Sequence, residues 1–125
     1  MAIPDGLLYS NNHEWVKFSE NGAALVGLTD FAQESMGEIV FINLCMEGDA
    51  VKTGDSLGDV ESIAAVFEII SPLTGVVAKI NNNAIEKPEL INQDPYAAWL
   101  IELEGATGVN NLMSAGEYAE LISIQ

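Results

Sequence analysis

The sequence predicts a mainly β protein, a small barrel or sandwich carrying two short helices. Three observations predict it. Apolar stretches of strand length recur along the chain, turn-forming Gly, Asn and Pro separate them at short spacing, and only two segments bear helix-cap signals. Short strands so closely spaced are the mark of all-β barrels and sandwiches. At 125 residues the chain has room for one domain, 1–125, and a hydrophobic content of 49% with mean hydropathy +0.22 supplies apolar surface for a core.

The elements follow in order. Asn21-Gly22 is a turn, and 23–27 after it has strand length and apolar character. Thr29 or Asp30 can cap a helix over 29–36, where Phe31, Ala32 and Met36 are the apolar positions and Gly37 the stop. A second strand spans 39–44. Turns at Gly48-Asp49, Gly54-Asp55 and Gly58 lead into 60–70, which holds neither Gly nor Pro and fits a buried strand, a helix fragment or a hairpin. Ser71-Pro72 and Gly75 open a strand at 76–80, Asn81-Asn82-Asn83 form a turn, and 99–103 is a further strand. Ser114 with Glu117 makes a capping-box pair, and Tyr118, Leu121 and Ile122 recur at helical spacing, giving a helix over 114–122. Segments 48–55 and 71–80 resemble each other as turn-then-strand units flanking 56–70.

Charge narrows the function. Nineteen Asp and Glu face four lysines (Lys17, Lys52, Lys79, Lys87) and no arginine, for a net charge of -15. Phosphate backbones and anionic membrane surfaces are repelled, so nucleic acid and membrane are excluded as partners and proteins with basic docking faces are favoured. Cys45 and His13 are the only residues of their kinds, which rules out a disulfide framework, a zinc cluster or a Cys/His relay within the chain. Paired carboxylates around a substrate motif, a Gly-rich phosphate loop and metal-ligand spacings are all absent, so an enzyme with its own active site is disfavoured. The start lacks a basic secretory n-region and no apolar run has spanning length, so a cytoplasmic location is expected, or a mitochondrial matrix location if a transit peptide has been removed.

Several landmarks stand in order along almost the whole chain: His13-Glu14-Trp15, Val26-Gly27-Leu28-Thr29-Asp30-Phe31-Ala32-Gln33-Glu34, Gly37-Glu38-Ile39-Val40-Phe41, Gly48-Asp49 and Gly54-Asp55, Val60-Glu61-Ser62-Ile63, Ser71-Pro72-Leu73-Thr74-Gly75, and Pro88-Glu89-Leu90-Ile91-Asn92-Gln93-Asp94-Pro95-Tyr96 before Trp99-Leu100. In these the sequence resembles the H proteins of the glycine cleavage system, non-enzymatic lipoyl carriers. The resemblance implies a lipoyl/biotinyl-type barrel-sandwich hybrid in which 60–70 is a hairpin whose tip, near Ile63-Ala64-Ala65, presents the cofactor. It also implies an aminomethyl group carried on lipoate between the P protein (glycine decarboxylase), the T protein (aminomethyltransferase) and the L protein (dihydrolipoamide dehydrogenase), and service by lipoate-attaching enzymes.

One departure limits that inheritance. The family motif reads Glu-Ser-Val-Lys-Ala, with lipoate on the lysine, and here the aligned residue is Ala64 between Glu61-Ser62-Ile63 and Ala65. A methyl group is no nucleophile, so no lipoate is expected on this chain. The four lysines fall in other predicted turns and strands and read as solvated surface charges. The resemblance further implies a cleft that holds the cationic end of the loaded arm, with Glu14, Glu68 and Asn12 as its candidate residues. His13 reads as a structural or partner-contact residue, Trp15 and Trp99 as anchors of the core or its rim, Cys45 as a small core hydrophobe, and Asp30 and Glu34 as complements of the helix dipole. A carrier scaffold lacking its lysine, a lipoate-free docking or regulatory paralogue, and an H-like carrier of another lipoate-dependent system remain as alternatives. Engineered removal of the lysine and natural loss both fit Ala64.

Overall fold

A computed structural model describes residues 1–125 and is mainly β. Nine strands lie in two antiparallel sheets: β1 (Leu8–Tyr9), β2 (Glu14–Phe18), β3 (Ala24–Leu28), β4 (Ile39–Leu44), β5 (Ala50–Val51), β6 (Ser56–Ser62), β7 (Val66–Ile70), β8 (Thr74–Ile80) and β9 (Ile101–Thr107). The larger sheet has six strands in the order β1-β2-β3-β9-β8-β5, and the smaller has three in the order β4-β6-β7. Helices α1 (Asp30–Met36), α2 (Asn82–Glu86) and α3 (Glu89–Gln93) sit at connections between strands, and α4 (Ala115–Ser123) follows the last strand.

Both sheets feed one core of 19 buried residues, among them Val26, Ile42, Val60, Ile69, Leu73 and Ile101. The two turn-then-strand segments noted in the sequence meet in the larger sheet, where β5 pairs with β8 at Ala50↔Val76 and Val51↔Gly75. The likeness of the segments thus reflects two strands that turn toward each other. Segment 60–70, ambiguous by pattern, is most of the β6–β7 hairpin, with Val60 opposite Phe67 and Glu61 opposite Val66.

Both predicted helices form. Thr29 Oγ1 accepts from Ala32 N at 3.1 Å at the start of α1, and Ser114 and Glu117 close a reciprocal capping box on α4. Glu34 departs from the expected dipole role, because Asp30 is the only acid in the first turn of α1. The strand placed at 99–103 begins at Ile101 and runs to Thr107, although Leu100 N already bonds Val26 O at 2.8 Å. The turn read at 81–83 opens α2, capped by Asn81, whose side chain accepts from Asn83 N. Cys45 is half-buried at the edge of the core rather than inside it. Trp15 is 1% exposed and donates from Nε1 to Pro95 O at 3.0 Å, while Trp99 packs at the rim of a second cluster built on Tyr9, Trp15 and Tyr118.

Gly27 opposes Trp15 across β2 and β3, and a Cβ there would lie 2.5 Å from the indole. Gly58, with φ +138, marks a bulge in β6 where a Cβ would lie 1.9 Å from Asn43 O. That position admits only glycine, and the bulge sets how the hairpin leaves the core.

Candidate functional site

The β6–β7 tip is a tight turn organised by one hydroxyl. Ser62 N donates to Ala65 O at 2.9 Å, and Ser62 Oγ accepts from Ala64 N and Ala65 N, both at 3.2 Å. Ile63 N donates to Glu38 O at 3.1 Å, which fastens the tip to the turn before β4. Such side-chain-to-backbone bonds pre-set the turn without help from strand pairing. Ser62 is buried, while Glu61, Ile63, Ala64 and Ala65 face solvent. Ala64 therefore stands at the apex, held clear of the body, with a methyl group as its whole side chain. The lysines lie elsewhere: Lys17 in β2, Lys52 in the β5–β6 turn, Lys79 in β8 and Lys87 at the end of α2.

Beside β7 a recess of about 230 Å³ opens between the turn before β2, helix α1 and the hairpin. Asn12 and His13 form one wall, Phe31, Ala32, Ser35 and Met36 of α1 another, and Phe67 and Glu68 of β7 the third. Its charged lining residue is Glu68, exposed at the rim. The fold thus brings together Asn12 and Glu68, 56 positions apart in sequence by simple difference of their numbers. Sequence reasoning missed Phe31, Ser35, Met36 and Phe67 as lining residues. Alternation along β7 puts Phe67 on the inner side, but no local signal reveals that α1 packs opposite it. A larger recess of about 340 Å³ lies among α2, α3 and the loop before β9, and holds none of the predicted site residues.

Glu14 does not line the recess. It is 1% exposed, with Oε1 accepting from Ser10 Oγ at 2.6 Å. Burial pushes its pKa up to about 8 despite that bond, so the carboxyl is mostly neutral at pH 7. It braces the turn that leads into β2, since the Glu14 amide also donates to Ser10 Oγ at 3.1 Å. His13 adopts φ +69, a conformation uncommon for residues other than glycine, and its Nδ1 lies 2.8 Å from Tyr118 Oη. Burial lowers its pKa, and its ring packs on Phe31 at a centroid distance of 4.6 Å.

A family model described as Glycine cleavage H-protein matches residues 7–125. The chain belongs to the glycine cleavage H-protein family. Among similar H proteins, the glycine cleavage system H protein of Lachnoclostridium phytofermentans is 44% identical over 122 residues, covering 98% of this chain and 96% of that protein. The H protein of Chlorobium chlorochromatii is 42% identical over 124 residues, with 98% of each chain covered. The crystal structure of a glycine cleavage system H protein from Mycobacterium marinum superposes with a TM-score of 0.89 at 35% identity, covering 96% of this chain and 98% of that one. The H-protein family is a family of lipoyl carriers rather than of catalytic enzymes, and the two-sheet fold with its short helices is the one this chain adopts.

Proposed function

We propose that this chain is an H protein of the glycine cleavage system in an unlipoylated, carrier-inactive form. The observation that carries this reading is Ala64 at the apex of an intact presenting turn. The residues do not fit a covalently held lipoate: amide formation needs an amine, and no lysine lies on β6, the tip or β7. The chain itself performs no chemistry in this reading; it offers a docking surface to the P, T and L proteins and to lipoate-attaching enzymes. Its net charge of -15 favours basic partner faces. The named relatives are bacterial, which favours the cytoplasm. Asn12 and Glu68 are the lining residues that would hold a cationic group in the recess, with Glu14 bracing the turn that carries Asn12.

A docking or regulatory role without cargo is the second reading. Apolar side chains around the tip favour it, with Ile63 72%, Val66 61% and Phe41 53% exposed. One experiment separates the two. The chain and its Ala64→Lys variant are each treated with lipoate, ATP and a lipoate ligase, and intact masses are measured. A lipoyl increment on the variant alone, followed by glycine turnover with the P, T and L proteins, supports the first reading. Lipoylation without turnover points to another lipoate-dependent system. No increment on either, with a control carrier modified, overturns the carrier reading in favour of docking.

A further inference from the structure

The C-terminal helix reaches the recess through a single buried side chain. Tyr118 of α4 is 0% exposed, and its ring stacks on Tyr9 at a centroid distance of 4.7 Å and an interplanar angle of 7°. Its hydroxyl lies 2.8 Å from His13 Nδ1 and 2.8 Å from Thr29 Oγ1. Those two residues belong to two walls of the recess: His13 lines it directly, and Thr29 caps α1, which supplies Phe31 and Met36. Thr29 N also donates to His13 O at 3.1 Å, so the two walls are bonded to each other as well as to Tyr118.

Counting hydrogens fixes the direction of the relay. Thr29 is 0% exposed, its Oγ1 already accepts from Ala32 N at 3.1 Å, and the Tyr118 hydroxyl is the side-chain partner left for its own hydrogen. Tyr118 then donates to His13 Nδ1. Every hydroxyl hydrogen in the series has an acceptor only in this direction, which leaves Nδ1 an acceptor and the ring hydrogen on Nε2. Helix α4 thus holds the imidazole through the Tyr118 hydroxyl while the backbone of His13 stands at φ +69, a conformation that needs its surroundings to persist.

We infer that α4 is a conformational latch on the recess, with Tyr118 as its positioning residue: docked, it fixes the tautomer and place of His13 and the cap of α1, and undocked it frees both walls together. A terminal helix is the kind of element that opens at low free energy, so anything that grips or displaces α4 reaches the recess without touching it. This inference goes beyond the carrier reading and is independent of lipoate.

The single histidine gives a clean test, because its ring ¹⁵N signals have no overlap in a labelled full chain. Wild type is expected to show one neutral tautomer with hydrogen on Nε2. Tyr118→Phe, which keeps the stack on Tyr9, is expected to give a tautomer mixture. In the same variant, amide exchange at Ala32 and Gln33 should quicken about five-fold, as for loss of one ordinary hydrogen bond, while β8 and β9 amides stay unchanged. Thr29→Ser should preserve the wild-type ring signals, and Thr29→Val should reproduce those of Tyr118→Phe. Unchanged His13 signals in Tyr118→Phe overturn the latch. Exchange that quickens equally in β8 and β9 overturns it too, since that reports global destabilisation.

Discussion

Glu14 is the residue whose role the fold changes most. As read from the sequence it is a candidate partner for a cation; in the structure it is a buried brace of the turn at Ser10. Its carboxyl, at about 8, sits above its unfolded value of 4.5, so between those values the folded chain binds more protons than the unfolded one. Its contribution to stability is therefore complete below about pH 4.5 and is lost as pH rises through about 8, with a slope of at most about 1.4 kcal/mol per pH unit. Glu14→Gln is expected to flatten that part of the stability profile; denaturant melts of both proteins from pH 5 to 9 check it, and parallel profiles would remove the brace. Burial of this kind is illegible in sequence, because Glu14, Trp15 and Val16 are buried in succession and strand alternation fails there. Gly27 makes a second prediction at this scale. With the indole of Trp15 2.5 Å from where a Cβ would stand, Gly27→Ala should cost about 1–3 kcal/mol by overpacking, read as a fall in denaturation midpoint with unchanged slope.

At the scale of elements, those with self-contained signals were legible. Helices α1 and α4 carry their caps in their own sequence, and β4 lies where the apolar run places it. Helices α2 and α3 have five residues each, too short for helical periodicity to register, and Asn81 and Pro88 look like turn punctuation because the same residue types open turns and helices. The hairpin was legible through family resemblance, since segment 60–70 alone fits three conformations. Its tip rests on Ser62, whose Oγ accepts from two amides. Ser62→Ala should cost about 1–3 kcal/mol locally, enough to speed amide exchange at Ala64 and Ala65 without a comparable change in β8 and β9. Equal protection in the variant would mean that the strands, not the hydroxyl, shape the turn. In an Ala64→Lys background the same substitution is expected to slow lipoylation, because a loosened turn no longer presents the lysine in one geometry.

For the whole molecule, composition told most about charge and least about the recess, whose three walls come from segments around 12, 31–36 and 67–68 and meet only through the two-sheet topology. Charge gives the last prediction. With 19 carboxylates, four lysines and a net charge of -15, repulsion among like charges opposes the compact state, and chain expansion relieves it. Raising salt from 0.01 M to 0.15 M shortens the Debye length from about 30 Å to about 8 Å, comparable to the spacing of neighbouring surface charges. The folded state should gain about 1 kcal/mol, which for a domain of this size raises the melting temperature by about 4 °C. The opposing loss is small, because exposed ion pairs contribute less than about 1 kcal/mol each. The rise should level off once screening is complete and should be the same in sodium and potassium chloride. A melting temperature flat across that range would mean that the carboxylates are too dispersed to oppose folding, and a rise that continues undiminished into molar salt would assign the effect to solvent exclusion rather than to charge.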